Sequence, residues 1–448
     1  MSNQTIDVSR MIDEGRTGGF ITRLVIITFL LVVADGFDIA AIGFAAPGIT
    51  RDFGITDPNV VGRMIAASLV GILFGSPIFG WMGDRFGRKT AIIASCFLFG
   101  VFTWLTAAAS GPEQIMALRF IAGLGIGGLL PNVTALISEL APARYRAAII
   151  IFTFTGVAFG GALPGVVAAT LVAQHGWQVI FQVGGALPIL VSLLCVWMLP
   201  ESVKYLVLKG GGEAQVAQIL SQMGTDKPID ANATFVVTEE HKRGGLLKAL
   251  FEGPLAVLTP LLWLLFIVNL MGYFFLLGWT PVVLQAAKID PSKAALAGVL
   301  LQFGGVFAGL AFFWFRLMER YGVIPVAILL GVAVPVVAGI GQAAVMQAEG
   351  LIFALQFLAG VCCLGVQFSI NALSGILYPT AVRSTGSGAA LGIGRLGSVV
   401  GPIVGGVLIA RQLPTDQLYV FAALPFAIGC GIAILMARHY KPAPPAGG

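Results

Sequence analysis

The stretch Gly80–Thr90, "GWMGDRFGRKT", is a short charged connection between two long apolar segments. Its glycines permit a tight turn and close helix packing, and the connection is too short to leave a membrane surface. Asp84 can cap the helix that follows or pair with Arg85 or Arg88. The stretch therefore predicts two membrane-spanning helices joined by a tight, charged turn.

The composition outside this turn is that of a membrane protein. Of the 448 residues, 57% are hydrophobic and 10% are charged, whereas soluble domains carry about 25% charged residues. The mean hydropathy is +0.93. A helix needs about 20 apolar residues to cross a bilayer, and twelve stretches meet this requirement. The predicted spans are Phe20–Ala46, Val60–Trp81, Thr90–Ala109, Glu113–Ser138, Ala148–Ala173, Val179–Leu199, Pro254–Ala286, Ala294–Phe315, Val323–Val345, Gly350–Leu377, Thr385–Ala410 and Gln417–Ala437.

An internal repeat organises these spans. A shift of 237 positions matches "ALRFIAGLGIGG" from Ala117 with "ALQFLAGVCCLG" from Ala354, so that Gly123 meets Gly360. Parallel repeats of this kind are expected of transporters built from two bundles. The predicted fold is an all-α integral membrane protein with twelve transmembrane helices in two pseudo-symmetric six-helix bundles. Its predicted parts are a tail (1–19), an N-terminal bundle (20–199), a polar linker (200–253), a C-terminal bundle (254–437) and a second tail (438–448).

The distribution of Lys and Arg predicts the orientation. Alternate loops hold most of the Lys and Arg residues, and the loops on the other side hold few. The positive-inside rule therefore predicts that both termini are cytoplasmic. The net charge of +5 follows from this bias and gives no reason to expect a nucleic-acid partner.

Two acids lie deep within the first span, in "VVADGFDIAAIGF" (Val32–Phe44). An ionisable side chain near the bilayer centre costs at least about 2.5–3.5 kcal/mol, so Asp35 and Asp38 mark a functional site. Residues three apart share a helix face, and both carboxylates are expected to face a central cavity. A desolvated carboxylate can take up a proton on one side and release it on the other. Alternatively, either acid alone is a static partner of Arg119 in the fourth span.

A permanently charged side chain, Arg395, lies near the middle of the eleventh span, in "GIGRLGSVVGP". Its planar guanidinium suits two-point capture of a carboxylate, so its partner is either the substrate or an aspartate of the first half. Gln367 and Asn371 share a helix face and, as buried amides, need partners. Further side chains expected around the cavity are Tyr273, Phe274, Trp279, Gln302, Phe303 and Phe368.

The Gly80–Thr90 turn resembles the signature loop of the major facilitator superfamily, G-x-x-x-D-R-x-G-R-K/R, and "PESVKYL" (Pro200–Leu206) after the sixth span agrees. The resemblance implies that the turn is a conformational latch. A degraded second copy, "MERYG", follows the eighth span. The latch residues that the resemblance implies are Gly80, Asp84, Arg85 and Arg88, with Glu319 and Arg320 in the second copy.

The motifs "DGFD", "ALRF" and "GIGRLG" resemble the aromatic acid:proton symporters of that superfamily, which carry 4-hydroxybenzoate, protocatechuate and benzoate. The resemblance matches Asp35 and Asp38 to that family's first-span acids, Arg119 and Glu139 to its fourth-span charges, and Arg395 to its eleventh-span arginine. The other substrate-binding residues are those expected around the cavity from their polar and aromatic side chains. The proton-coupling set is Asp35, Asp38, Arg119 and Glu139. The substrate-binding set is Arg395, Asp38, Tyr273, Gln302, Phe303, Gln367 and Asn371.

The function predicted from these features is import of an aromatic carboxylate, hydroxybenzoate-like, with protons by alternating access. We expect no enzymatic activity, no metal and no cofactor beyond the proton gradient, membrane lipid as surroundings, and a monomer by precedent of the fold. One alternative is a proton-coupled exporter of small organic molecules, although the fifth span "GVAFGGALPG" lacks a clean G-P-x-x-G-G pattern. The other alternative is a non-transporting membrane receptor for aromatic acids.

Overall fold

The structure, a computed structural model, describes residues 5–14, 18–210, 212–223, 234–236, 249–315, 322–378 and 383–439. Within these ranges, twelve helices are long and apolar enough to cross a membrane, which confirms the predicted number. In chain order the elements are β1 (Thr5–Asp7), α1 (Val8–Glu14), α2 (Gly19–Asp52), α3 (Pro58–Phe86), α4 (Arg88–Thr106), α5 (Pro112–Leu140), α6 (Ala143–His175), α7 (Gln178–Met198), α8 (Val203–Lys209), α9 (Glu213–Gln222), β2 (Thr234–Val236), α10 (Leu255–Ala286), α11 (Pro291–Phe315), α12 (Ile324–Val345), α13 (Glu349–Leu377), α14 (Arg383–Ala410) and α15 (Thr415–His439).

The same helix pairings occur in both bundles. In the N-terminal bundle, α3 packs on α5, α2 on α6 and α4 on α7. The corresponding pairs in the C-terminal bundle are α11 with α13, α10 with α14 and α12 with α15. Between the bundles, α3 contacts α14 and α11 contacts α6, two pairs that the repeat exchanges. The predicted pseudo-symmetry of two six-helix bundles is therefore confirmed.

Matched glycines explain why the repeat is visible in the sequence. A Cβ added at Gly123 would overlap the backbone carbonyl of Ser68 where α5 crosses α3. A Cβ added at Gly360 would overlap the carbonyl of Leu301 where α13 crosses α11. Small residues allow this backbone approach in lipid, where packing replaces the hydrophobic effect as the driving force. The repeat thus retains glycine at equivalent helix crossings.

The two bundles meet closely at the end of the molecule opposite the Gly80–Thr90 turn. We call the end with the turn the motif face and the opposite end, where α2 finishes, the far face. A Cβ added at Gly43 of α2 would lie 2.7 Å from the carbonyl oxygen of Leu277 on α10. A Cβ added at Gly62 of α3 would lie 2.8 Å from the carbonyl oxygen of Pro402 on α14. The far face is therefore closed by backbone contacts between the bundles.

The first described residues and the linker form a layer on the N-terminal bundle. β1 and β2 pair in parallel, Thr5–Asp7 with Thr234–Val236, a small addition to a chain predicted as all-α. Val8 and Ile12 of α1 are 0% and 2% exposed and belong to the same apolar cluster as Phe235 and the core of α2. The sequence predicted only polar connecting segments here, because the apolar residues of these short elements are few.

Candidate functional site

Asp38 and Arg119 form a fully buried ion pair between α2 and α5. Nη1 of Arg119 donates to Oδ1 of Asp38 at 2.9 Å, and Nη2 donates to Oδ2 at 2.6 Å. Nη2 also donates to the backbone carbonyl of Asp38 at 3.2 Å. Both side chains are 0% exposed. Asp38, expected to contact substrate from the cavity, is instead enclosed within the N-terminal bundle.

Two neighbouring helices hold this pair in place. The hydroxyl of Thr103 on α4 donates to Asp38 and accepts a hydrogen bond from Nη1 of Arg119 at 3.1 Å. The ring of Phe181 on α7 lies 5.7 Å from the guanidinium carbon of Arg119, a cation–π contact. Sequence reasoning missed Thr103 and Phe181, since one threonine and one phenylalanine in apolar spans carry no distinguishing signal.

Asp35, one turn earlier on α2, has a different environment. Its side chain is 0% exposed, and neither carboxylate oxygen has a hydrogen-bond partner among the described residues. The charged groups that interact with it electrostatically are Arg395 on α14 and Asp38. Arg395 therefore lies close enough to Asp35 for their charges to interact, although the two residues belong to different bundles.

The glycines around Arg395 have separate functions. A Cβ added at Gly392 would meet nothing within 4 Å, so open space lies one turn from Arg395. A Cβ added at Gly394 would lie 2.7 Å from Cβ of Phe266, so this glycine packs α14 against α10. Among the described residues, the space beside Gly392 is thus open, whereas the space beside Gly394 is filled by α10.

A chain of amides links α10 to α13. Nδ2 of Asn269 donates to Oε1 of Gln367 at 3.1 Å and to the carbonyl of Cys363 at 3.2 Å. Nε2 of Gln367 donates in turn to Oδ1 of Asn371 at 3.3 Å. Oδ1 of Asn269 is buried without a partner among the described residues. Sequence reasoning missed Asn269, although a single amide in an apolar span was a usable signal.

A second polar pair lies where the bundles meet. The hydroxyl of Tyr273 on α10 donates to Oε1 of Gln302 on α11 at 2.8 Å, and both residues are buried. Gln302 lies against Gly161 of α6, so it is at the contact between the bundles. Phe303 is 42% exposed and lies on the outer stripe of α11 with Phe307. We therefore leave Phe303 out of the site.

A third cluster of charges lies on the motif face. Nη1 of Arg88 donates to Asp84, and Nη2 of Arg88 lies 3.4 Å from Oε1 of Glu139 on α5. The side chains of Arg88 and Glu139 are 18% and 17% exposed, whereas Asp84 is 70% exposed. Glu139, expected to take part in proton coupling, is thus placed with the turn rather than with the Asp38–Arg119 pair.

Residues 28–390 of the chain match the Major Facilitator Superfamily. The chain belongs to this superfamily. It is 34% identical to the 4-hydroxybenzoate transporter PcaK of Pseudomonas aeruginosa over 439 residues, 96% of each protein. It is 32% identical to the gallate transporter of Pseudomonas putida, over 97% of this chain and 96% of that one.

Solved structures of superfamily members share the fold at low sequence identity. A bacterial homologue of the human lysosomal transporter Spinster, inward-facing and unoccupied, gives a TM-score of 0.70 at 16% identity, over 96% of this chain and 100% of that chain. The proton:xylose symporter XylE gives a TM-score of 0.66 at 18% identity, over 94% of this chain and 95% of that chain. These structures confirm the predicted fold. The family match and the transporters among the relatives confirm the predicted superfamily, the resemblance to its aromatic-acid transporters, and the prediction of a transporter rather than an enzyme.

The superfamily turn is held by the segment that follows α7. Oε1 of Glu201 accepts hydrogen bonds from the backbone amides of Lys89 at 3.1 Å and Ser202 at 2.8 Å. Gly87 adopts φ +102°, and a Cβ there would collide with the carboxylate of Glu201. Burial raises the pKa of Glu201, although these amides and Lys89 act in the opposite direction. Glu201, and not Asp84, thus accepts a hydrogen bond from a backbone amide in the first turn of α4.

The remaining latch residues differ in what surrounds them. The guanidinium of Arg85 lies 5.8 Å from the ring of Trp81, at an exposed position. A Cβ added at Gly80 would meet nothing within 4 Å, so packing does not require a glycine there. Glu319 and Arg320 of the second copy lie outside the described residues.

Proposed function

We propose that the chain imports an aromatic carboxylate together with protons by alternating access. The observation that carries this proposal is the unequal environment of the two first-span acids. Asp38 is neutralised by Arg119 within its own bundle. Asp35 is buried, accepts no hydrogen bond from the part of the chain that the structure describes, and interacts with Arg395 of the other bundle. One acid is structural, and the other is the proton site.

The chemistry of Asp35 suits reversible protonation. An ionised carboxylate buried without a partner is costly. Either a proton on Asp35 or the nearby guanidinium of Arg395 relieves that cost. Arg395 lies on α14 and Asp35 lies on α2. A movement of one bundle against the other therefore changes the distance between them, and with it whether the guanidinium or a proton compensates the charge of Asp35. Proton binding at Asp35 is thereby linked to the position of the bundles.

The same guanidinium serves as the anchor for the substrate. Arginine can bind a carboxylate through two parallel hydrogen bonds. A substrate carboxylate and Asp35 then compete for Arg395, and protonation of Asp35 frees Arg395 for the substrate. Substrate and proton therefore bind together, which is the requirement for symport.

The aromatic ring of the substrate lies, in this proposal, beside polar groups of the C-terminal bundle. Tyr273, Gln302, Gln367 and Asn371 supply hydroxyl and amide groups near the contact between the bundles. The names of the relatives, transporters of 4-hydroxybenzoate and gallate, support an aromatic carboxylate as substrate.

The membrane and the direction of transport are part of the proposal. The bacterial sources of the relatives support a bacterial inner membrane, and the bias of Lys and Arg supports cytoplasmic termini. An inward proton gradient then drives import. We also retain the proposed boundaries of the bundles at 20–199 and 254–437, with the linker between them.

Proteoliposomes test this function. Purified chain is reconstituted, an inward proton gradient is imposed, and accumulation of radiolabelled 4-hydroxybenzoate is measured. Asp35→Asn should abolish accumulation and retain exchange of internal for external substrate. Asp416→Asn, at the start of α15, is the matched control and should accumulate normally. Full accumulation by Asp35→Asn, outward pumping of substrate, or binding without flux would each overturn the proposal.

A further inference from the structure

A cavity of about 490 Å³ lies on the motif face, outside the space between the bundles. It is bordered by the end of α7 and by α8 and α9 of the linker. Three cations line it: Arg23 at the start of α2, Lys89 in the turn, and Lys209 at the end of α8. Among the described lining residues, Glu201 is the single acid.

The positive charge of this cavity is only partly neutralised by the described residues. Lys89 interacts with Glu201, and its Nζ donates to the carbonyl of Val196 at 2.7 Å. The Oε1 atom of Glu201 is occupied by two backbone amides, as described above. Arg23 donates from Nη2 to Oε1 of Gln222 at 3.1 Å, a neutral acceptor, and its Nε is buried without a partner among the described residues. Nζ of Lys209 lies 5.5 Å from the ring of Tyr205. The described lining therefore carries a net charge of about two positive units, three cations less one acid.

The cavity also borders the apolar outer surface of the protein. Trp197 at the end of α7 is 77% exposed, and Phe86 at the end of α3 is 50% exposed. Leu193 and Leu194, one turn before Trp197, are 46% and 41% exposed. Exposed tryptophan at the end of a span is typical of the membrane–water interface. The lining of this cavity therefore combines cations with side chains of a lipid-facing surface.

We propose that this cavity binds the headgroup of an anionic phospholipid from the leaflet at the motif face. The phosphate would lie among Arg23, Lys89 and Lys209, and the acyl chains would lie along Trp197 and the outer face of α7. Basic pockets at this level of a membrane protein suit acidic lipid headgroups. A free phosphate would use the cations and leave the adjoining apolar surface without a function, so the lipid is favoured.

Lipid titrations of the purified full-length chain in detergent test this site. The probes are dioctanoyl phosphatidylglycerol, dioctanoyl phosphatidylcholine and inorganic phosphate, and the readout is the thermal unfolding midpoint. Phosphatidylglycerol should raise the midpoint at concentrations at which the other two probes do not. The apparent affinity for it should fall about fivefold in Arg23→Gln or Lys209→Gln and about 25-fold in the double variant.

Two variants separate this site from a general charge effect. Arg438→Gln removes a cation from the same end of the molecule, at the end of α15, and should leave the affinity unchanged. Lys209→Arg keeps the charge and should retain binding. Equal effects of phosphatidylglycerol and phosphatidylcholine, a full effect of inorganic phosphate alone, or unchanged affinity in the double variant would overturn the proposal.

Discussion

Arg119 donates hydrogen bonds to both carboxylate oxygens of Asp38, and helices α2, α4, α5 and α7 enclose the pair. The pair therefore neutralises one of the two first-span acids within the N-terminal bundle. In the proposed mechanism, Asp35, one turn away, is the acid that binds the proton, and Arg395 is the cation that interacts with it. Proton coupling in the proposed mechanism depends on this division between neighbouring carboxylates.

Breaking the pair from one side should destabilise the fold. Asp38→Asn leaves the charge of Arg119 buried without a counterion, which costs about 3–5 kcal/mol. Thermal unfolding in detergent should show a large drop in the midpoint. The double variant Asp38→Asn/Arg119→Gln removes both charges and should recover most of the lost stability. An unfolding midpoint of Asp38→Asn equal to that of the natural chain would contradict an ion pair at this position.

Arg395→Lys should weaken substrate binding although the charge is kept. Lysine lacks the planar fork that binds both carboxylate oxygens, and a hydrogen bond to a charged group contributes about 1.5–3 kcal/mol. We expect the dissociation constant for 4-hydroxybenzoate to rise by at least about tenfold in calorimetric titration. Arg411→Lys, just past the end of the same helix, is the control, and equal affinities in the two variants would exclude two-point binding at Arg395.

Gly43→Ala should hinder closure of the far face. The added Cβ would lie 2.7 Å from the carbonyl oxygen of Leu277 across the bundle contact, and overpacking of this kind costs about 1–3 kcal/mol. Substrate uptake in proteoliposomes should slow while the purified protein stays folded. Gly431→Ala places a Cβ in open space on α15 and should transport normally. Uptake at the natural rate in Gly43→Ala would show that this contact does not form during transport.

The pH dependence of stability should change when Glu201 is replaced. Burial raises the pKa of Glu201 in the folded chain, so the folded state holds this proton more tightly than the unfolded state. The stability that this proton contributes is present at low pH and is lost as the pH rises through the folded pKa. Glu201→Gln does not titrate, and its stability relative to the natural chain should therefore increase from about pH 4 to pH 7.

Thermal unfolding at several pH values measures this difference. Glu213→Gln, at the exposed start of α9, removes a carboxylate from the surface of the same layer and is the matched control. A constant difference between Glu201→Gln and the natural chain would contradict the shifted pKa.

Hydropathy alone predicted the spans, because the bilayer allows few backbone arrangements other than helices. The division of roles between Asp35 and Asp38 could not be predicted in the same way. Residues three apart on a helix point only about 60° away from each other, so both were expected to face the cavity. Which of them contacts Arg119 depends on how α4 and α5 pack against α2. This packing is tertiary structure, which the helical pattern of the sequence does not specify. For Phe303, the sequence cannot distinguish an aromatic ring in lipid from one beside a cavity, since both surroundings are apolar.

The parallel pairing of β1 with β2 has a practical consequence for protein engineering. Thr5–Asp7 pairs as a β-strand with the segment that connects the bundles. Deleting the first fourteen residues would therefore remove Val8 and Ile12 and would also expose the apolar side chains of the linker that pack in the same cluster. An affinity tag or fluorescent reporter is therefore better fused after α15, where it leaves this layer intact.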